Sequence, residues 1–416
     1  MKSYKPTAAQ NNFQSADCGR KEDIMQYRED KASGKKLSAL GLGCMRFPRD
    51  KTETEKMILT AIGGGVNFFD TAYAYTNSET TLGGILAENN KRKDVYIATK
   101  LPYILCKNAD DFDIFFNEQL RRLQTDYVDY YFIHGISDFE GWDKLRKMGI
   151  EEWIANKKKS GKIKNIGFSH HGTCDDFLKV LNSYDWGFCM IQYNYYDENY
   201  QAGKKGLLSA HEKGIPVIIM EPLLGGRLAT GLPKQAVEAF KNADPSRTPA
   251  DWALRWLWNQ SEVTVALSGM SSNQIMESNL RSMENFKPLT SDDLAVYAEV
   301  TRTFKKSYKV NCTGCNYCLP CPKGINIPSC FSAYNSSYAQ GSITGFQQYM
   351  TSTAALTSKN PSSVRLCNQC GKCEKLCPQY LPIRKDLIKV ARRFENPPLR
   401  LLWSLGRRFI FSRGGN

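Results

Sequence analysis

No apolar run in this chain reaches the roughly 20 residues of a membrane span. The first 23 residues also lack the apolar core of a secretory signal. A cytoplasmic location is therefore expected. It matters for the 14 cysteines, because thiols in a reducing compartment ligate metals rather than pair. Histidine is scarce, at four positions in 416 residues, so each one is informative. The Gly-x-Gly-x-x-Gly turn that follows the first strand of an open doubly wound sheet is missing as well. Gly41-Leu42-Gly43-Cys44-Met45-Arg46 lacks the third glycine, and Gly63-Gly64-Gly65 precedes a strand, as a helix C-cap does. No flavin motif is evident. The formal charge is +14, but basic residues are not interleaved with aromatics across one domain, so no nucleic-acid role is expected. Between 384 and 416, nine Lys/Arg against two Asp/Glu place +7 of that charge in the tail.

What is present is a strand–helix rhythm. Short apolar runs rich in Val, Ile and aromatics predict strands at Leu40–Met45, Val66–Asp70, Val95–Lys100, Tyr127–His134, Ile163–Ser169, Phe188–Tyr193, Pro216–Met220 and Val263–Ser268. Helices are expected between them, among others at Thr52–Ile62, Asp110–Leu123, Lys204–Lys213 and Asn273–Met283. Eight such units in about 250 residues fit an α/β fold of the (β/α)8 TIM-barrel type. Ser33-Gly34 is a turn signal between Tyr27-Arg28-Glu29-Asp30 and Lys36-Leu37-Ser38, and predicts a hairpin ahead of the barrel. The chain divides into a flexible extension (1–24), the barrel (25–290), a linker helix (291–307) capped by Thr290, a cysteine module (308–390) and a basic tail (391–416).

Three predicted strands end in complementary groups. Val66-Asn67-Phe68-Phe69 ends in Asp70, with Tyr75 five residues on; the next two runs end in Lys100 and His134. Any of these alone is ordinary, since an Asp after a strand is commonly a cap and a Lys at a strand end is commonly solvated. Together they suit the reduction of a carbonyl. Hydride transfer creates an alkoxide that must be protonated, and a tyrosine can supply the proton if a neighbouring ammonium tempers its pKa of about 10. Lys100 would act on Tyr75, Asp70 would hold Lys100, and His134 would polarise the carbonyl.

In order and spacing, Asp70, Tyr75, Lys100 and His134 resemble the catalytic tetrad of the aldo-keto reductases, over about residues 25–290. The resemblance implies an NAD(P)H-dependent oxidoreductase acting on an aldehyde or ketone. It also implies a cofactor path. Ser169 and Gln192 match the residues that hold the nicotinamide carboxamide, while His170 stands where the family usually has Asn. Met220 stands where an aromatic stacks on the ring. Glu221, Leu223 and Gly225 fall in a loop that looks like the pyrophosphate belt, and Ser268, Gly269, Met270, Gln274 and Glu277 in one like the adenosine site. NADP-specific members carry Lys and Arg at the positions of Ser268 and Gln274, so either NADP or NAD is expected here.

The last quarter of the chain carries a second signature. Cys367-x2-Cys370-x2-Cys373-x3-Cys377-Pro378 is the spacing of a 4Fe-4S ferredoxin, in which the fourth cysteine serves the other cluster of a pair. Zinc ribbons use separated pairs instead. Cys312-x2-Cys315-x2-Cys318-x2-Cys321-Pro322 is one residue short in its last gap, which leaves Cys321 and Cys330 as alternatives. Two [4Fe-4S] clusters are expected, one on Cys312, Cys315, Cys318 and Cys377, the other on Cys367, Cys370, Cys373 and Cys321. The 45 residues between Cys321 and Cys367 exceed a compact bacterial ferredoxin and resemble a mainly α-helical ferredoxin-like domain. Cys18, Cys44, Cys106, Cys174 and Cys189 read as small buried apolar residues.

Clusters move single electrons and the barrel moves hydride, so the module is expected to relay electrons, sense redox state or serve as structure. A redox partner protein is the favoured reading. The alternative is an electron-transfer or sensing protein whose barrel binds nicotinamide without efficient turnover. Arg400–Arg413, basic with Leu, Trp and Phe, is expected to dock on the protein's own surface rather than on a membrane.

Overall fold

A computed structural model describes residues 25–353 and 362–397. The N-terminal extension with Cys18 and the basic stretch Arg400–Arg413 lie outside the described residues. No described helix is long and apolar enough to cross a membrane.

The chain opens with an antiparallel hairpin, β1 (Tyr27–Asp30) and β2 (Lys35–Ser38), turned at Gly34 with φ +68°. Eight parallel strands then close into a barrel: β3 (Leu40–Gly43), β4 (Phe68–Asp70), β5 (Tyr96–Leu101), β6 (Val128–Ile136), β7 (Ile163–His170), β8 (Phe188–Gln192), β9 (Val217–Met220) and β10 (Val263–Ser268). Each pairs with its sequence neighbours, and β10 returns to β3.

Closure makes the strands two-faced. Successive side chains alternate, so Phe68, Ala98, Tyr130, Phe132, Phe188, Met190, Ile218 and Val265 fill the barrel interior. Their neighbours Phe69, Ile97, Tyr131, Ile133, Cys189, Ile191, Val217, Ile219 and Ala266 face outward under the helices. Burial on both faces is why each strand reads as an unbroken apolar run. The hairpin closes the bottom. Leu37 packs into the interior layer, and Asp30 accepts a hydrogen bond from the Tyr130 hydroxyl at 2.8 Å. The C-terminal strand ends are left to carry polar groups.

The helix Ser291–Ser307 starts in a capping box at Thr290 and Asp293. It lies against the barrel, with the Tyr297 hydroxyl bonded to the Trp252 carbonyl at 2.8 Å. The module that follows is helical: Ile327–Ala339, Ser342–Ser352 and Ile383–Phe394 enclose their own apolar core. Cys330 sits inside that core beside Phe331, fully buried. Cys44, Cys106 and Cys189 are buried in the barrel's outer layer.

Candidate active site

Asp70 is the last residue of β4, Lys100 lies one residue before the end of β5, and His134 lies near the end of β6. The barrel thus brings three of the four expected groups to one rim. Tyr75 arrives on the loop after β4. That loop is fixed by a buried bond between the Thr71 and Ser78 hydroxyls at 2.7 Å, and by Ser78 Oγ donating to the Cys44 carbonyl at 2.8 Å.

The Lys100 ammonium has three protons, and each has an acceptor. Nζ lies 2.6 and 2.7 Å from the two Asp70 oxygens and 2.7 Å from the Thr71 carbonyl. Burial raises the Asp70 pKa and lowers that of Lys100, and their mutual attraction opposes both shifts. Behind the pair, Gln119 Nε2 donates to the Lys100 carbonyl at 3.0 Å and to Glu79 at 2.9 Å, while Thr99 donates to Glu79 at 2.6 Å. This network fixes the strand that carries Lys100.

With its protons committed, Lys100 meets Tyr75 through the ring, 5.0 Å from the centroid. The balance on the phenol differs from the sequence-based expectation. Burial, then Tyr317, holds the Tyr75 pKa well above its ordinary value. His134 stands edge-on to Tyr75, with centroids 6.1 Å apart. Burial, then Lys100 and His171, holds it neutral.

Asp70 and Tyr75 open onto a cavity of about 650 Å³ that runs across the mouth to the end of β10. Of the residues expected on a cofactor path, Met220, Glu221, Leu223, Gly225, Ser268, Gly269 and Gln274 line it. A volume of this size is in the usual range for a cofactor site, and the hydroxyls and amides of Ser268, Ser271, Gln274, Ser278 and Asn279 suit ribose. Two expected residues are placed elsewhere. Met270 is buried in the barrel core, and Glu277 accepts a bond from Asn273 at 2.7 Å, outside the cavity lining.

The pair expected to hold the nicotinamide sits deeper than the cavity wall. Ser169 Oγ accepts from the Gly135 amide at 2.7 Å. Gln192 is fully buried; it donates to Asp197 at 3.3 Å and accepts from Gln379 at 2.7 Å. His170 turns outward against Phe177, with centroids 5.4 Å apart, and burial lowers its pKa to about 4. The next residue, His171, lines the cavity instead. His171, Tyr317, Pro378 and Gln379 are among the residues here that sequence reasoning did not single out.

In the module, Cys312, Cys315, Cys318 and Cys377 line one small cavity, with Ile327, Phe331 and Ile383 around them. Burial pushes the Cys312 thiol up to about 11 and that of Cys318 to about 12, so iron would have to displace their protons. Among the described residues no group of three His, Cys, Asp or Glu could hold a single metal ion. A four-iron core spreads its thiolates further apart than one ion does, and four thiols around one cavity are the donor set it takes. Cys367, Cys373 and Cys321 are partly buried against the module's core, and Cys370 is exposed.

Fold and site together define an oxidoreductase barrel carrying an iron–sulfur module. Residues 39–302 match the Aldo/keto reductase family, and residues 311–383 match a 4Fe-4S dicluster domain. The chain belongs to the aldo/keto reductase family. It is 29% identical over 289 residues to an L-galactose dehydrogenase of Arabidopsis thaliana, covering 62% of this chain and 88% of that one. It is 27% identical over 268 residues to a methylglyoxal reductase of Escherichia coli, covering 63% and 92%. The holo form of an aldo-keto reductase from Bacillus halodurans superposes with a TM-score of 0.57 at 23% identity, over 66% of this chain and 96% of that one. That likeness bears on the fold.

Proposed function

We propose that the protein reduces an aldehyde or ketone with a reduced nicotinamide dinucleotide, with Tyr75 as the proton donor. One observation carries this reading: Tyr75, backed by the saturated Asp70–Lys100 pair, shares a single cavity with the loops after β9 and β10. A bound reduced nicotinamide would supply the hydride to the carbonyl carbon. Tyr75 Oη would give its proton to the carbonyl oxygen, and a phenol with a raised pKa stays protonated for that step. His134, neutral, would donate a second hydrogen bond to the same oxygen. The Lys100 ammonium would supply a fixed positive charge next to the developing alkoxide. Ser169 and Gln192, buried behind the cavity wall, would hold the carboxamide only after Gln192 gives up its bond from Gln379. The two relatives, an L-galactose dehydrogenase and a methylglyoxal reductase, support an oxidoreductase acting at a carbonyl or its alcohol.

Tyr75→Phe is the test. It keeps the ring that packs on Lys100 and His134 and removes only the acid. Turnover of any accepted carbonyl should fall by about 10² to 10⁴, with iron content and dinucleotide binding unchanged. Retention of wild-type turnover would remove Tyr75 from the chemistry.

The module adds a second reading, in which two clusters pass electrons to or from a partner protein. Cys370 is exposed, and so are Lys372 and Lys375, which form no ion pair among the described residues. Leu366 and Leu376 are exposed beside them. An exposed cluster loop with free cations and apolar contacts suits an acidic one-electron carrier. Cluster reoxidation by such a carrier should slow with salt and with Lys372→Glu plus Lys375→Glu. Rates indifferent to both would place the electron exit elsewhere.

A further inference from the structure

The cysteine loop 312–318 belongs to the iron–sulfur module, yet it ends in the mouth of the barrel. Two barrel loops clamp it. Arg46, after β3, donates to the Gly314 carbonyl at 3.2 Å. The loop after β9 comes so close that a Cβ on Gly225 would stand 1.8 Å from the Thr313 carbonyl oxygen. Glu221 lies buried against Arg46 and Thr313. Beyond the clamp, the Tyr317 side chain stands at the wall that Tyr75 also lines, close enough to raise the Tyr75 pKa. A second segment of the module follows it in. The Pro378 and Gln379 carbonyls accept from Gln201 and Tyr200 at 3.1 and 2.8 Å. Cys315, Tyr317 and Pro378 all line the cavity that Tyr75 lines.

A phenol has one proton to donate. An oxygen that receives the Tyr75 proton must therefore come in beside Tyr317, on the wall both residues line. We propose that Tyr317, supplied by the iron–sulfur module, is a specificity-determining residue of the reductase site: it narrows the approach of a carbonyl to Tyr75, and confines the site to small aldehydes and ketones. The walls set by Cys315, Tyr317 and Pro378 exclude bulky groups next to the carbonyl. Because Tyr317 lies between two cysteines of the first quartet, the loop that holds those cysteines also sets the width of the site. This inference rests on Tyr75 as the proton donor.

The experiment uses full-length protein, reconstituted anaerobically, with iron content and cluster absorbance checked for each variant. Wild type, Tyr317→Phe and Tyr317→Ala are assayed on carbonyls graded by bulk, from acetaldehyde to an aryl ketone. Tyr317→Ala should raise kcat/KM for the aryl ketone, relative to acetaldehyde, by about tenfold or more, mostly through KM. Tyr317→Phe keeps the wall and removes only the hydroxyl; it should leave the size ranking intact. An unchanged ranking in Tyr317→Ala overturns the inference. Calorimetric titration with acetate and benzoate, unreactive carbonyl mimics, in the presence of NAD+ reads the same wall without chemistry. Benzoate binding gained in Tyr317→Ala without carbonyl turnover in any protein sustains the wall and sinks the reductase reading. Turnover with no response in either ranking or titration sinks the wall alone.

Discussion

The Gln379 side chain donates to the Gln192 carboxamide oxygen at 2.7 Å, in a buried contact between residues 187 positions apart. One belongs to the iron–sulfur module and the other to the end of β8. The module therefore reaches the residue expected to hold the nicotinamide. Gln379→Ala should leave the Gln192 oxygen buried without a donor, which costs about 1–3 kcal/mol. The expected result is a lower midpoint in guanidinium unfolding of that size, with faster amide exchange at 377–381. An unchanged midpoint would show that the two domains are held together elsewhere.

The pH profile follows from the directions of two shifts. Tyr75 is the acid, and its pKa is raised above 10.0. Its active, protonated form therefore persists to higher pH than a free tyrosine's. His134 is lowered below 6.5, so it takes up a proton only in acid. The value of kcat/KM for carbonyl reduction should be flat from about pH 6.5 to about pH 10. A titration with a midpoint near 8 would contradict this and return Tyr75 to a phenol tempered by Lys100.

The dinucleotide preference is open to a direct measurement. The 2′-phosphate of NADPH calls for cationic donors. Among the described residues that line the cavity, Arg46 is the one Lys or Arg, and it is engaged at the module loop. At the far end Ser268 Oγ accepts from Asn279 at 3.0 Å, and Gln274 lies beside it. Hydroxyls and amides of this kind suit an unphosphorylated ribose. NADH should exceed NADPH in kcat/KM by about tenfold or more, and Gln274→Arg should narrow that gap. A preference for NADPH in the unaltered protein would refute this placement of the ribose.

The barrel was legible because burial on both faces writes its strands as apolar runs. All eight predicted strands form, and β10 has the predicted ends, Val263 and Ser268. The grouping of Asp70, Lys100 and His134 at one rim was legible for a related reason: each interrupts such a run near its C-terminal end. His171 left a weaker signal. Along β7 the outward residues are Ile166 and Phe168, so alternation puts His170 outward and turns the following residue toward the mouth. Met270 was misplaced because a thioether fits a core as readily as a ligand loop. Tyr317 and Gln379 left no signal at all. Their positions depend on how one folded unit docks on another, and nothing in the spacing of the cysteines encodes that.

The same docking surface yields a test with an internal control. Gly225 and Gly226 are adjacent and both left-handed, with φ +63° and +89°. A Cβ on Gly226 would meet nothing within 4 Å, whereas one on Gly225 would meet the Thr313 carbonyl. Either alanine carries the strain of a positive φ, about 1–3 kcal/mol. Only Gly225→Ala also pushes the cysteine loop off the barrel. Gly226→Ala should therefore lower the unfolding midpoint modestly and leave the cluster signal intact until the barrel unfolds. Gly225→Ala should lower it further and let the cluster absorbance bleach before the barrel's far-UV signal is lost. If the two variants behave alike, the contact between Gly225 and Thr313 does not hold the module in place. The route by which the module reaches Tyr75 would then run through Arg46 and Gln192 instead.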